Sequence, residues 1–179
     1  MKIRDFFKKT KKDELDPLSD LSLARLKKGY LVDYDLKTWE VSAYNYYDWS
    51  EGDISHEWQL KSGDDVVYLE MESDDEKEWS LSRKIAFGRL DSQIKKSINE
   101  TGDPPEKIVF DGVTYYMEET GGGRFYKDGQ GQGREVLQWS YQDDEGQSYF
   151  SIEQWGEEEF EASTGEPVKE YQFTNILPR

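Results

Sequence analysis

The chain reads as one module written twice. Residues 57–72 (EWQLKSGDDVVYLEME) and 138–153 (QWSYQDDEGQSYFSIE) align without a gap at an offset of 81 positions. Trp58 then falls on Trp139, Tyr68 on Tyr149, Met71 on Ile152 and Glu72 on Glu153. The same offset carries Glu78-Trp79 onto Glu159-Phe160, and residues 34–39 match 110–115 at an offset of 76. A period near 80 is longer than the roughly 20–50 residues of solenoid repeats and fits a duplicated small domain. Matched positions of this kind report first on what both copies need to fold.

Composition narrows the classes. Aromatic residues make up 15% of the 179, enough to supply a folded core although charged residues reach 35%. The first twelve residues carry Lys2, Arg4, Lys8, Lys9, Lys11 and Lys12 against Asp5, a net of +5, so the formal charge of −16 leaves −21 on the rest. Such a body repels nucleic acid and anionic membrane and attracts polycations or basic proteins. No cysteine is present, which removes disulfides and thiolate chemistry. With no apolar leader after Met1 and no run of ~20 apolar residues, the expected location is the cytoplasm.

Three segments follow from the patterning. Residues 1–25 form a basic segment and linker, broken at Pro17, in which Ile3, Phe6 and Phe7 share one face of a possible amphipathic helix. Residues 26–102 form the first β repeat. There Trp39, Val41, Ala43, Asn45 and Tyr47 alternate with Glu40, Ser42, Tyr44 and Tyr46, and Ser62-Gly63-Asp64-Asp65 marks a hairpin before Val67, Leu69 and Met71. Residues 91–100 predict a helix with Ile94 and Ile98 on one face, stopped by Gly102 and Pro104-Pro105. Residues 103–179 form the second repeat, with strands expected at 113–118, 124–127, 135–142, 148–154 and 171–176. The fold expected is mainly β: two homologous antiparallel β units, roll-like or barrel-like, packed with pseudo-two-fold symmetry and one short linking helix.

Candidate functional residues fall into three groups. The repeat-matched set Trp58, Tyr68, Glu72, Trp139, Tyr149 and Glu153 offers ring faces and carboxylates for an amine, or equally the shared core of two copies. The run Tyr44, Tyr46, Tyr47 and Trp49 has no counterpart in the second copy. With Arg124, Phe125 and Tyr126 between two glycine runs, it is a candidate partner-binding patch. Ile3, Phe6, Phe7, Lys8 and Lys9 could meet an anionic membrane surface, or dock on the acidic body instead. His56, the one histidine, reads as a strand residue with a local hydrogen bond. The acidic runs at 64–65, 74–76, 143–145 and 157–159 lack calcium-loop spacing and sit at expected turns, and Gly121-Gly122-Gly123 lacks a phosphate-loop context.

Residues 26–34 (LKKGYLVDY) with Trp39-Glu40-Val41 resemble the opening of a bacterial family called domain of unknown function 4178. His56-Glu57-Trp58-Gln59-Leu60, residues 110–115 and Ile152-Glu153-Gln154-Trp155-Gly156 are similar to further features of that family. The resemblance implies a bacterial cytoplasmic protein. It brings no catalytic residues, and it implies genes for small membrane proteins and an enzyme similar to polyamine aminopropyltransferases nearby.

The expectation is a non-enzymatic accessory or interaction module with no cofactor and no metal. Residues 1–12 would recruit it to the membrane surface, and a protein partner, though not nucleic acid, would bind it. The alternative is an acidic binder of small polycations such as polyamines. Edge strands in such a fold leave a homodimer open.

Overall fold

The computed structural model describes residues 21–50, 52–73 and 75–179, so the basic segment 1–12 with its expected helix and membrane-contact residues lies outside them. The first half runs β1 (Leu31–Tyr34), β2 (Lys37–Asp48), β3 (Ile54–Ser62), β4 (Asp65–Ser73) and β5 (Lys77–Ile85). Helix α1 (Ser92–Thr101) follows. The second half runs β6 (Lys107–Phe110), β7 (Val113–Tyr126), β8 (Arg134–Gln142), β9 (Tyr149–Gly156), β10 (Glu159–Val168) and β11 (Thr174–Leu177).

All these strands belong to one antiparallel sheet, ordered β11-β1-β2-β3-β4-β5-β10-β9-β8-β7-β6, and β2 also pairs with β7. That extra pairing closes β2, β3, β4, β5, β10, β9, β8 and β7 into a ring, leaving β1, β11 and β6 outside it. Two seams close the ring between the halves, and a third pairing, β1 with β11, joins them outside it. One seam is the β5–β10 ladder, from Ile85↔Ala162 to Trp79↔Val168. The other is short: Tyr46↔Tyr126, Tyr47↔Phe125 and Asp48↔Arg124. The mainly β, antiparallel, barrel-like architecture is as the sequence implies, but the two units are hydrogen-bonded edge to edge.

The apolar residues pack on the outer face of the ring, in two clusters. The first gathers Trp39, Val41, Trp58, Leu60, Val67, Leu69, Met71, Trp79 and Leu81 beneath Leu23, Leu26, Val32 and Phe173. The second gathers Tyr115, Trp139, Tyr141, Phe150, Ile152 and Ala162 beneath Ile94 and Ile98 of α1 and Ile108 and Phe110 of β6. Helix α1 fits its expected span: the Asp91 side chain accepts from Gln93 N at 2.9 Å, and Gly102 ends it at φ 90°. Burying these large aromatic and aliphatic side chains is the main stabilising term, at about 1.5–3 kcal/mol each.

Three expectations need correction. The single alternating face over Trp39 to Tyr47 does not hold, because a β-bulge between Val41 and Ala43 reverses the phase. Trp39 and Val41 face the first cluster, as does Tyr44, whose ring lies 5.5 Å from that of Trp58. Asn45 and Tyr47 therefore turn into the ring. Next, Gly121 to Gly123 form no loop between two strands, since β7 runs unbroken to Tyr126. A Cβ on Gly123 would stand 2.7 Å from both Asp48 O and a Trp49 ring carbon, so glycine is what lets the seam close. Finally, β10 is a strand that the sequence conceals: Gly165 and Pro167 look like punctuation. Gly165 in fact lets β10 approach β5, with its would-be Cβ 2.9 Å from Leu81 O.

Candidate ligand-binding interior

Because the apolar side chains face outward, the alternate positions of each strand line the inside of the ring, and these are polar. β3 contributes Glu57 and Gln59, β4 Tyr68, Glu70 and Glu72, and β5 Ser80, Ser82 and Lys84. From the second half come Gln138 and Ser140 of β8, Tyr149, Ser151, Glu153 and Trp155 of β9, and Glu161 and Ser163 of β10. Contacts between strands that are not neighbours show that these groups converge. Tyr47 Oη on β2 donates to Glu153 Oε1 on β9 at 3.0 Å and reaches Glu57 Oε2 at 3.5 Å. Asn45 Nδ2 donates to Glu57 Oε1 at 2.7 Å, while its Oδ1 accepts from Asp128 N at 3.0 Å and ties down the β7–β8 loop.

Two cavities lie inside the ring and share no lining residue. One, of about 290 Å³, is lined by Glu70, Glu72, Glu78, Glu118 and Glu119 with Tyr149, and is bordered by Trp79, Tyr141 and Phe150, whose rings belong to the outer clusters; among the described residues no lysine or arginine lines it. The other, of about 480 Å³, is lined by Asn45, Tyr47, Glu57, Tyr68, Phe125, Trp155 and Glu161, with Lys84, Lys127 and Arg134. On β4, β5, β8, β9 and β10 each takes a separate stretch of strand, so they occupy opposite ends of the ring. An eight-stranded ring leaves room for side chains or one small ligand, in keeping with these volumes.

The electrostatics are those of carboxylates kept from water and close to one another. Burial, then the charge of Glu57, raises the Glu153 carboxyl to about 7. Burial raises Glu57 too, opposed by the Asn45 hydrogen bond, and pushes Glu70 up well above the usual range, with the charges of Glu57, Glu153 and Glu72 adding to it. The only hydrogen bond to the Glu70 carboxyl among the described residues is a long one, 3.4 Å from Ser82 Oγ. Glu72 is raised by burial and by Asp53, Glu119 and Glu78. Lys84 pairs with Glu161, which together with the charge of Glu153 raises its ammonium against the opposing effect of burial. Among the described residues no group of three or more acidic or histidine side chains is arranged to hold a metal ion.

The candidate residues read from sequence are redistributed. Trp58 and Trp139 lie on the outer face, donating from Nε1 to Leu26 O at 2.9 Å and to Asp103 Oδ1 at 2.9 Å. They form no site with Tyr68, Glu72, Tyr149 and Glu153, which do line the interior. The expected partner-binding patch is a seam: Tyr46 stacks on Tyr126 at 4.5 Å, Tyr47 packs on Phe125 at 4.9 Å, and Trp49 Nε1 donates to Ser55 Oγ. Tyr47 is only 5% exposed, while Tyr44, Tyr46, Trp49, Phe125 and Tyr126 are half-buried. Arg124 is exposed and pairs with Glu135, and His56 Nδ1 bonds Tyr44 Oη at 2.7 Å. Glu57, Glu70, Lys84 and Trp155 are interior groups that the sequence patterning does not single out. The signal for them was present: a polar alternate face on every strand of both halves.

Among the described residues no helix is long and apolar enough to cross a membrane. No solved structure matches the chain. An uncharacterised protein of Aquifex aeolicus (strain VF5) is 26% identical over 178 residues, spanning 99% of this chain and 97% of that protein. A family model described as domain of unknown function (DUF4178) matches residues 27–170. With that match covering most of its length, the chain belongs to the DUF4178 family.

Proposed function

We propose that the protein is a non-catalytic cytoplasmic binding module whose ring interior takes a small organic polycation, a polyamine being the natural chemistry. One observation carries this reading: five glutamates line a half-open cavity at one end of the ring, with Tyr149 in its wall and, among the described residues, no lysine or arginine. Extended ammonium chains suit carboxylates spread along a cavity, where a single metal ion would need them gathered into one cage. Aromatic faces add cation–π attraction of about 0.5–2 kcal/mol. Since burial raises the Glu70 and Glu72 carboxyls, cation binding favours their ionised forms, and affinity should rise with pH.

Titration calorimetry with spermidine tests this. Saturable heat should persist at moderate salt, strengthen between pH 6 and pH 8, and weaken in Glu70→Gln and Glu72→Gln. Heat that disappears with modest salt would mean surface screening alone and end the proposal.

A second reading rests on the charge split between residues 1–12 and the acidic remainder. Here the module is an accessory protein brought to an anionic membrane by Ile3, Phe6, Phe7, Lys8 and Lys9, each lysine near the surface adding about 1 kcal/mol. Flotation with anionic vesicles decides it: deletion of residues 1–12 should abolish association, and unchanged association refutes recruitment.

A further inference from the structure

The cavity at the other end of the ring calls for a different ligand. Trp155 lines it and also the outer groove of about 910 Å³ beside the β2–β7 seam. Its Nε1 is buried with no hydrogen-bond partner among the described residues. Trp39, Trp49, Trp58 and Trp139 each donate to a protein acceptor, so among the described residues Trp155 is the one tryptophan whose Nε1 is fully buried and unpartnered. A buried donor without an acceptor costs about 1–3 kcal/mol, which a ligand oxygen would relieve.

The charges around this cavity have two signs. Lys127 lies at its rim with no ion pair among the described residues. Arg134 sits 5.2 Å over the Trp155 ring, held by Glu159 and by the Trp155 carbonyl. Farther in, Lys84 pairs with Glu161 and only its charge reaches Glu57, which has no ion pair of its own among the described residues. Its Oε2 has only the long contact to Tyr47. A diamine would set one ammonium against the basic rim. A molecule with an ammonium at one end and a carbonyl or carboxylate at the other meets both charges correctly.

We propose that this cavity is a second subsite, which takes a small amine bearing an acceptor group: a zwitterionic amino acid of the ω-amino type, or an acylated amine. The acceptor end meets Trp155 Nε1 and Lys127, and the ammonium points toward Glu57. This assignment concerns a different cavity from the polycation site and does not depend on it.

Calorimetry of the full chain with 5-aminovalerate, N-acetylputrescine and putrescine separates the two. The first two probes should bind saturably, and Trp155→Phe should weaken both by about tenfold, the value of one hydrogen bond to a buried donor. Lys127→Gln should weaken 5-aminovalerate more than N-acetylputrescine, because the carboxylate loses a charge partner and the amide only a donor, a comparison that stands even if Trp155→Phe fails to fold. Glu72→Gln, at the opposite end, should weaken putrescine alone. No saturable binding of either acceptor-bearing probe, no effect of Trp155→Phe in a folded protein, or equal losses of both in Lys127→Gln would overturn the second subsite. Failure of putrescine alone to bind the unaltered protein would count only against the polycation site.

Discussion

The phenol of Tyr47 and the carboxyl of Glu153, 106 positions apart, meet at 3.0 Å although their strands are not neighbours in the sheet. The bond crosses the interior of the ring and makes Tyr47 the one donor shared by Glu153 and Glu57. Tyr47→Phe should therefore cost about 1–3 kcal/mol at pH 8, with less at pH 5 where the Glu153 carboxyl is protonated. Urea unfolding at the two pH values measures it; an equal loss at both would separate Tyr47 from the carboxylate charge.

Stability should also depend on pH through the interior itself. The Glu153 carboxyl stands near 7 when folded and near 4.5 otherwise, so between those values the folded state keeps a proton that the unfolded chain has released. Stability then falls as pH rises from about 4.5 to about 7, by on the order of 3 kcal/mol, with Glu57 and Glu70 acting in the same direction. Asp65 and Glu159, held low by Lys37 and Arg134, act oppositely and only at more acid pH, where stability is lost as pH falls. Denaturant midpoints across pH 4 to 8 should show this decline, and Glu153→Gln should flatten it. A midpoint that climbs across that range would contradict the cluster.

The two seams should respond to small steric insults. Gly123→Ala places a Cβ against Asp48 O and Trp49, and Gly165→Ala places one against Leu81 O and Ser82. Each should cost about 1–3 kcal/mol. Amide exchange should accelerate around Tyr46 to Asp48 in the first variant and around Ser80 to Ser82 in the second. A uniform change across the sheet would show that the seams open only with global unfolding.

Trp58→Phe and Trp139→Phe each lose a buried indole hydrogen bond and should lower stability by about 1–3 kcal/mol. Neither should alter spermidine affinity, because both rings belong to the outer clusters. A marked loss of affinity in either would return these tryptophans to the site.

The strands, hairpins and linking helix were legible because they are local: alternation across residues 57–72, the Gly63 turn, and the Ile94 and Ile98 face of α1. The site was harder to see for a physical reason. Alternating apolar and polar residues ordinarily mean core on one side and water on the other. Here the polar side of β3 and β4, with Glu57, Glu70 and Glu72, is the enclosed one. Only the β2–β7 pairing reveals this, and it joins residues about eighty apart across a run of glycines. The bulge at Ser42, which decides that Tyr47 points inward, leaves no mark in the composition.

The seams also settle how far the halves are separable. Val168 of the second half belongs to the first cluster, Ile85 of the first packs against the second, and the last strand, β11, pairs with β1. Cut between α1 and β6, neither fragment keeps a complete hydrophobic core or a sheet with its edges satisfied. They are complementary pieces, each acting as the other's missing template, and the interior exists only once both have been made.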